Sequence, residues 1–192
     1  MEQIGVQTRK WTRLEYDRLV EAEILGPEDR IELIGGHMVV KEPQDSPHAT
    51  GIRLVVRALS RVFGDGWLVG SQLPIALDDE SEPEPDVSVV PGDPRDYRDT
   101  HPAQPVLVVE VSLSRLRFDR ERKGSLYARA GIADYWVVNV PDRRLEVYRE
   151  PIPDAAGPFG WRYGQAVTLG PVDRVTPLAA SGADIAVADL LP

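Results

Sequence analysis

The chain has 192 residues, of which 42% are hydrophobic and 28% charged, with a net charge of -9 and no cysteine. That length suits one domain, 1–192, with a single sizeable core. The cysteine count excludes disulfides, thiol catalysis and cysteine-ligated zinc, and the acidic balance argues against a broadly basic nucleic-acid surface.

The N-terminus, Met1-Glu2-Gln3-Ile4-Gly5, has neither the basic start nor the apolar stretch of a secretory signal. No apolar run reaches the length of a membrane span. The expectation is a cytoplasmic protein with no membrane partner. Thr12-Arg13-Leu14-Glu15 is a capping-box pattern, and Tyr16, Leu19, Val20 and Ile24 follow it at helical spacing until Pro27. Gly35-Gly36 between two short apolar runs, 31–34 and 37–40, predicts a hairpin. A second helix starts near Ser46 or Pro47, with Ile52, Val55, Val56, Leu59 and Phe63 on one stripe and Gly64-Asp65-Gly66 as its stop. Strand-like sequence runs from Trp67 to Leu77, with Pro74 marking a bulge or an edge. An acidic loop over 78–85, a short strand from Val87 to Val90 and an exposed loop over 91–104 follow. Val106 to Val111 reads as a central strand buried on both faces. A helix is expected over 119–130, closed by Gly131. Strands follow at Tyr135–Val140 and Leu145–Tyr148, a loop at 151–160, and a last long strand at Trp161–Leu169. The order predicts a mixed α/β arrangement, a central mixed β-sheet flanked by helices, with a core at about 12–150 and a C-terminal strand extension at 151–192.

Three residues stand out against this frame. Asp86 follows Pro85 at the start of a strand, Glu110 interrupts the apolar run, and Lys123 lies thirteen positions later. A carboxylate in a buried strand must be paired, hydrogen-bonded, protonated or metal-bound. Two carboxylates on adjacent strands can hold magnesium, which keeps several waters. Lysine occurs only at positions 10, 41 and 123, against nineteen arginines, so an ammonium at 123 suggests a place a guanidinium would not serve. The competing reading is an ordinary i,i+4 pair between Asp119 and Lys123. Glu32 could add a third carboxylate, although an exposed strand residue is the favoured alternative. His48 and Gln72 could reach a phosphate, and Tyr127 reads as core. Charge is uneven: residues 78–99 hold nine acids, while 112–130 hold Arg115, Arg117, Arg120, Arg122, Lys123 and Arg129, a local cationic stripe that could guide a nucleic-acid backbone.

The phrases Arg30-Ile31-Glu32-Leu33-Ile34-Gly35-Gly36, Ser46-Pro47-His48, Pro85-Asp86-Val87, Val109-Glu110-Val111-Ser112 and Tyr127-Ala128-Arg129-Ala130-Gly131-Ile132-Ala133-Asp134-Tyr135-Trp136 carry a resemblance. In order and spacing they resemble the Uma-type family of proposed restriction endonucleases, within the PD-(D/E)XK nuclease superfamily. The resemblance implies a restriction-endonuclease-like core. It also implies Asp86 and Glu110 as ligands of Mg2+ or Mn2+, with the Val111 carbonyl, and Glu32 beside them. The superfamily lysine stands two residues after the glutamate, where this chain has Ser112; the resemblance suggests that Lys123 has taken its role from the following helix.

The leading expectation is therefore a metal-dependent endonuclease hydrolysing phosphodiesters of nucleic acid, DNA before RNA. Asp86, Glu110, Lys123 and Glu32 would form its catalytic set. His48, Gln72, Arg115, Arg117, Arg120 and Arg122 would contact the substrate. A homodimer suits the cutting of two strands. The alternatives are a weakly active or inactive nucleic-acid- or protein-binding module on the same fold, and a purely structural oligomerising domain.

Overall fold

The computed structural model describes residues 8–41 and 45–192; the signal-peptide reading of Met1 to Gly5 lies outside them. Helix α1 (Arg13–Glu21) opens on the expected capping box, with Thr12 and Glu15 each accepting the other's backbone N–H. Of its expected apolar stripe only Tyr16 is buried, and Val20 and Ile24 are exposed. Strands β1 (Ile31–Ile34) and β2 (His37–Val40) form the predicted antiparallel hairpin. Gly35 and Gly36 turn it with φ +57 and +80, the left-handed pair that a two-residue hairpin loop requires. Helix α2 (Ser46–Val62) starts at Asp45, whose side chain accepts the His48 N–H.

The main sheet has six strands in chain order: β3 (Trp67–Gly70), β4 (Val87–Pro91), β5 (Leu107–Ser112), β6 (Asp134–Asn139), β7 (Arg144–Pro153) and β8 (Trp161–Leu169). Only β5 and β6 run parallel. The helix of their crossover contains a π turn (Phe118–Lys123) that leads into α3 (Gly124–Arg129). Gly131, at φ +76, follows this helix as expected. A short pair, β9 (Arg174–Val175) and β10 (Ile185–Ala186), is followed by a 3-10 turn (Val187–Leu190) whose Val187 and Leu190 join the core beneath α2.

Two strand expectations need correction. The strand expected over 67–77 ends at Gly70. Gln72 adopts φ +55 and turns its N–H to the carbonyls of Pro85 and Asp86, so the chain leaves the ladder before Pro74. The loop expected over 151–160 begins only at Asp154, because Pro151 and Pro153 pair with Tyr163 and Trp161. Both prolines lie beyond Asp134, where β6 ends its pairing with β7. With a neighbour on one side only, a missing N–H costs no ladder bond there.

Side chains alternate across β5. Val109 and Val111 join Ile52, Val55 and Leu59 of α2 in one core. Val108 joins Tyr127, Ala128 and Tyr135 in the other. Glu110 and Ser112 share the face of Val108, under the π turn and α3.

Gly51 sets how closely α2 lies on β5, since a Cβ there would stand 2.7 Å from Val111 Cγ1. Val111 is branched, short and buried and cannot swing away. Gly51→Ala is therefore expected to lower stability by about 1–2 kcal/mol despite alanine's better helix propensity, as thermal denaturation would measure.

Candidate active site

The pairing of Val87 with Val109 sets Asp86 opposite Glu110 at the end of β4 and β5. The Asp86 N–H points to Glu110 Oε2 at 3.4 Å. Asp86 Oδ2 accepts the Val111 N–H at 2.8 Å and contacts His48 Nε2 at 3.0 Å. That contact is the chief reason the imidazole is held above its ordinary value, against the opposing effect of burial.

Lys123 comes to the same point from the π turn. Its Nζ donates to Glu110 Oε1 at 2.9 Å and lies 3.4 Å from Glu32 Oε1. Tyr127, one helical turn on, donates its hydroxyl to Glu110 Oε1 at 2.7 Å. Glu32 Oε2 accepts the Glu84 N–H at 3.0 Å, and Glu84 in turn pairs with Lys41. Burial pushes the Glu110 carboxyl well above the usual carboxylate range, and the Lys123 ammonium only partly restrains it. Burial also works against the Lys123 charge, yet Glu110, Glu32, Asp119 and Asp86 outweigh it and lift the ammonium above an ordinary lysine. Lys123 is thus a fixed cation suited to steadying negative charge, not a base suited to taking a proton.

Apart from the fully buried Tyr127, these groups line a cleft of about 130 Å³. Glu32, His48, Gln72, Asp86, Glu110, Val111, Arg115 and Lys123 all reach it. The other three expected contact residues do not line it. Arg117 pairs with Glu121 on the surface, Arg120 clamps Glu146, and Arg122 lies over the Phe159 ring. Glu32 is buried, not the exposed strand residue that was the favoured alternative. Asp119, which the competing reading paired with Lys123, is buried and lines the cleft. Its helical spacing to Lys123 was visible in the sequence, but the π turn that carries both inward was not. Among the described residues, no three His, Cys, Asp or Glu side chains stand already gathered in ligand geometry; the lysine sits among the carboxylates instead. No described helix is long and apolar enough to cross a membrane.

A second groove beside α1 shares Arg30, Lys41, Gln72 and Glu84 with the cleft. It contains Glu82, 4% exposed, whose carboxyl is pushed up to about 7 by burial first and the nearby Asp17 second. The folded protein therefore binds this proton more tightly than the unfolded chain does. The stability it contributes is full below about pH 4.5 and lost as pH rises through about 7. Glu82→Gln is expected to flatten that fall by on the order of 2 kcal/mol between pH 5 and 8. Melting temperatures across the range would show it, with a residual slope of the same sign left to His48, Glu110 and Asp119.

A model of the Uma2 family, described as "Putative restriction endonuclease", matches residues 14–188. The fold is similar to a crystal structure from Anabaena variabilis, described as a "putative nuclease belonging to DUF820". The TM-score is 0.68 and the identity 18%, covering 90% of this chain and 96% of that one. No curated protein matches.

Proposed function

The chain belongs to the Uma2 family, and on that premise we propose that it is a metal-dependent endonuclease cleaving phosphodiester bonds of DNA. The observation that carries the reading is a charge excess. Four buried carboxylates (Glu32, Asp86, Glu110 and Asp119) surround one buried ammonium, Lys123. Burial raises the Glu110 and Asp119 carboxyls, so the cluster must either hold protons or take a cation that displaces them.

The donor set fits a hard one. Asp86, Glu110 and the Val111 carbonyl offer only oxygen, which suits Mg2+ or Mn2+ over softer metals. When bound, such an ion supplies polarisation of a phosphate oxygen and a water of lowered pKa. The chain's own residues do the rest. Lys123, braced by Glu110 and Glu32, donates to the water or to the oxygen on which charge develops. Tyr127 fixes the Glu110 carboxylate by its hydrogen bond. His48 fixes Asp86 and, when protonated, presents a second positive group to phosphate. Gln72 and Arg115 lie where the strand would enter, and Arg115 Nη1 is itself held by the Val40 carbonyl at 3.0 Å. We assign no substrate contact to Arg117, Arg120 or Arg122. Two copies of the chain would serve the two strands of a duplex.

The test is incubation of purified protein with DNA and RNA, in Mg2+, in Mn2+ and in chelator. Cation-dependent cleavage of DNA is the expected result. Cation binding without cleavage of either nucleic acid would support the binding-module reading instead.

A further inference from the structure

Ser112 occupies the position two residues after Glu110 and shares its face of β5. It is 2% exposed, and its Oγ has no hydrogen-bond partner among the described residues. A buried hydroxyl without a partner is costly and calls for a ligand. Asp119 lies beside it on the π turn, 7% exposed and facing the same cleft. The two side chains are near enough for the hydroxyl to ease the carboxylate's charge, but not in hydrogen-bond geometry. Among the described residues, no ion pair within 4 Å joins Asp119 to Lys123. The cleft is thus lined by two almost fully buried polar groups from different elements, and the hydroxyl finds no partner in the carboxylate.

The space has a natural occupant. Magnesium and manganese bound by few carboxylates retain several waters, and each needs hydrogen-bond acceptors beyond the ion. A carboxylate beside a hydroxyl is such an acceptor pair. We propose that Asp119 and Ser112 together hold a water of the cation's inner shell, making them positioning residues of the metal site. The inference rests on the metal-dependent reading above. It also accounts for the serine at the superfamily lysine position, because a short side chain there leaves room for the Lys123 ammonium and for the water.

The test is Mn2+ titration of the apo protein by calorimetry and by electron paramagnetic resonance, on wild type, Asp119→Asn, Ser112→Ala and Asp86→Ala, with melting temperatures measured on each. Loss of an outer partner typically weakens metal binding 10–100-fold. Asp119→Asn is expected to fall in that range and Ser112→Ala to lose roughly 3–10-fold. Both should keep their fold, and the Mn2+ spectrum should change in both. Ser112→Ala removes no charge, so its loss separates water-holding from the general field of the acids. Wild-type affinity in Ser112→Ala overturns the proposal, whether or not Asp119→Asn is weakened. Failure of the wild type to bind Mn2+ overturns the metal-dependent reading as well. Tight wild-type binding that is lost in Asp86→Ala but kept in both test variants overturns this inference alone.

Discussion

Lys123→Met is expected to make the protein's stability steeply dependent on pH. The substitution keeps the volume of the side chain but leaves Glu32, Asp86, Glu110 and Asp119 without the buried ammonium that faces them. Breaking a buried pair from one side typically costs about 3–5 kcal/mol. Burial already raises the Glu110 and Asp119 carboxyls, and loss of the ammonium raises them further. A raised carboxyl contributes stability that is complete at low pH and lost as pH rises. The variant should therefore approach wild-type melting near pH 5 and fall well below it near pH 8. Added Mg2+ or Mn2+ should restore part of the loss, since a cation binding the folded state alone stabilises it. Cleavage should fall by roughly two to three orders of magnitude, the scale of a lost charge-stabilising donor. Denaturation curves over pH, with and without the ion, check the first effect, and single-turnover cleavage checks the second.

Glu110→Gln is expected to show the opposite balance, with activity lost and fold kept. A carboxamide can still accept the Tyr127 hydroxyl and the Lys123 ammonium that Glu110 Oε1 holds at 2.7 and 2.9 Å. It removes a buried charge whose desolvation the lysine only partly offsets, so melting should change by no more than about 1 kcal/mol. As a ligand of a divalent cation, however, a neutral amide is far weaker than a carboxylate. Cleavage should drop by on the order of 10³-fold, about 4 kcal/mol of barrier. Mn2+ affinity should fall in parallel, by calorimetry. Retained cleavage in this variant would place the chemistry elsewhere.

The mixed sheet, the central place of β5 and the helix that follows it rest on features open to a reader of the chain. An apolar run from Val106 to Val111 suits a strand buried on both faces, and the helix expected over 119–130 covers one face of it through Lys123, Leu126 and Tyr127, while Ala130 is exposed. Asp86, Glu110 and Lys123 meet as that pattern suggests, because strand register fixes the first two and the crossover helix delivers the third. What the sequence hid depends on long-range contacts. Glu32 is buried because the β1–β2 hairpin packs over the cleft, with Leu33 bonded to Glu82; a four-residue strand carries no sign of that. The expected cationic stripe does not act as one surface. Arg120 found Glu146 and Arg122 found Phe159, partners 26 and 37 positions away. The early end of β3 rests on the left-handed Gln72, a residue type with no strong preference for that conformation.

The π turn has a consequence for how this site could be lost. It accommodates one residue more than an α-helix would over the same stretch, and π turns of this kind recur at functional sites. Each residue of an α-helix advances the side chains by about 100°. Deleting a single position between Phe118 and Lys123 would let the stretch relax into ordinary α-helix, leaving α3, with Leu126, Tyr127 and Ala128, seated in its core. Asp119 would then be swung by about a quarter-turn relative to Lys123. A one-codon deletion would thus separate folding from the proposed chemistry, turning a descendant of this chain into a stable, silent scaffold without touching Asp86 or Glu110, the proposed ligands.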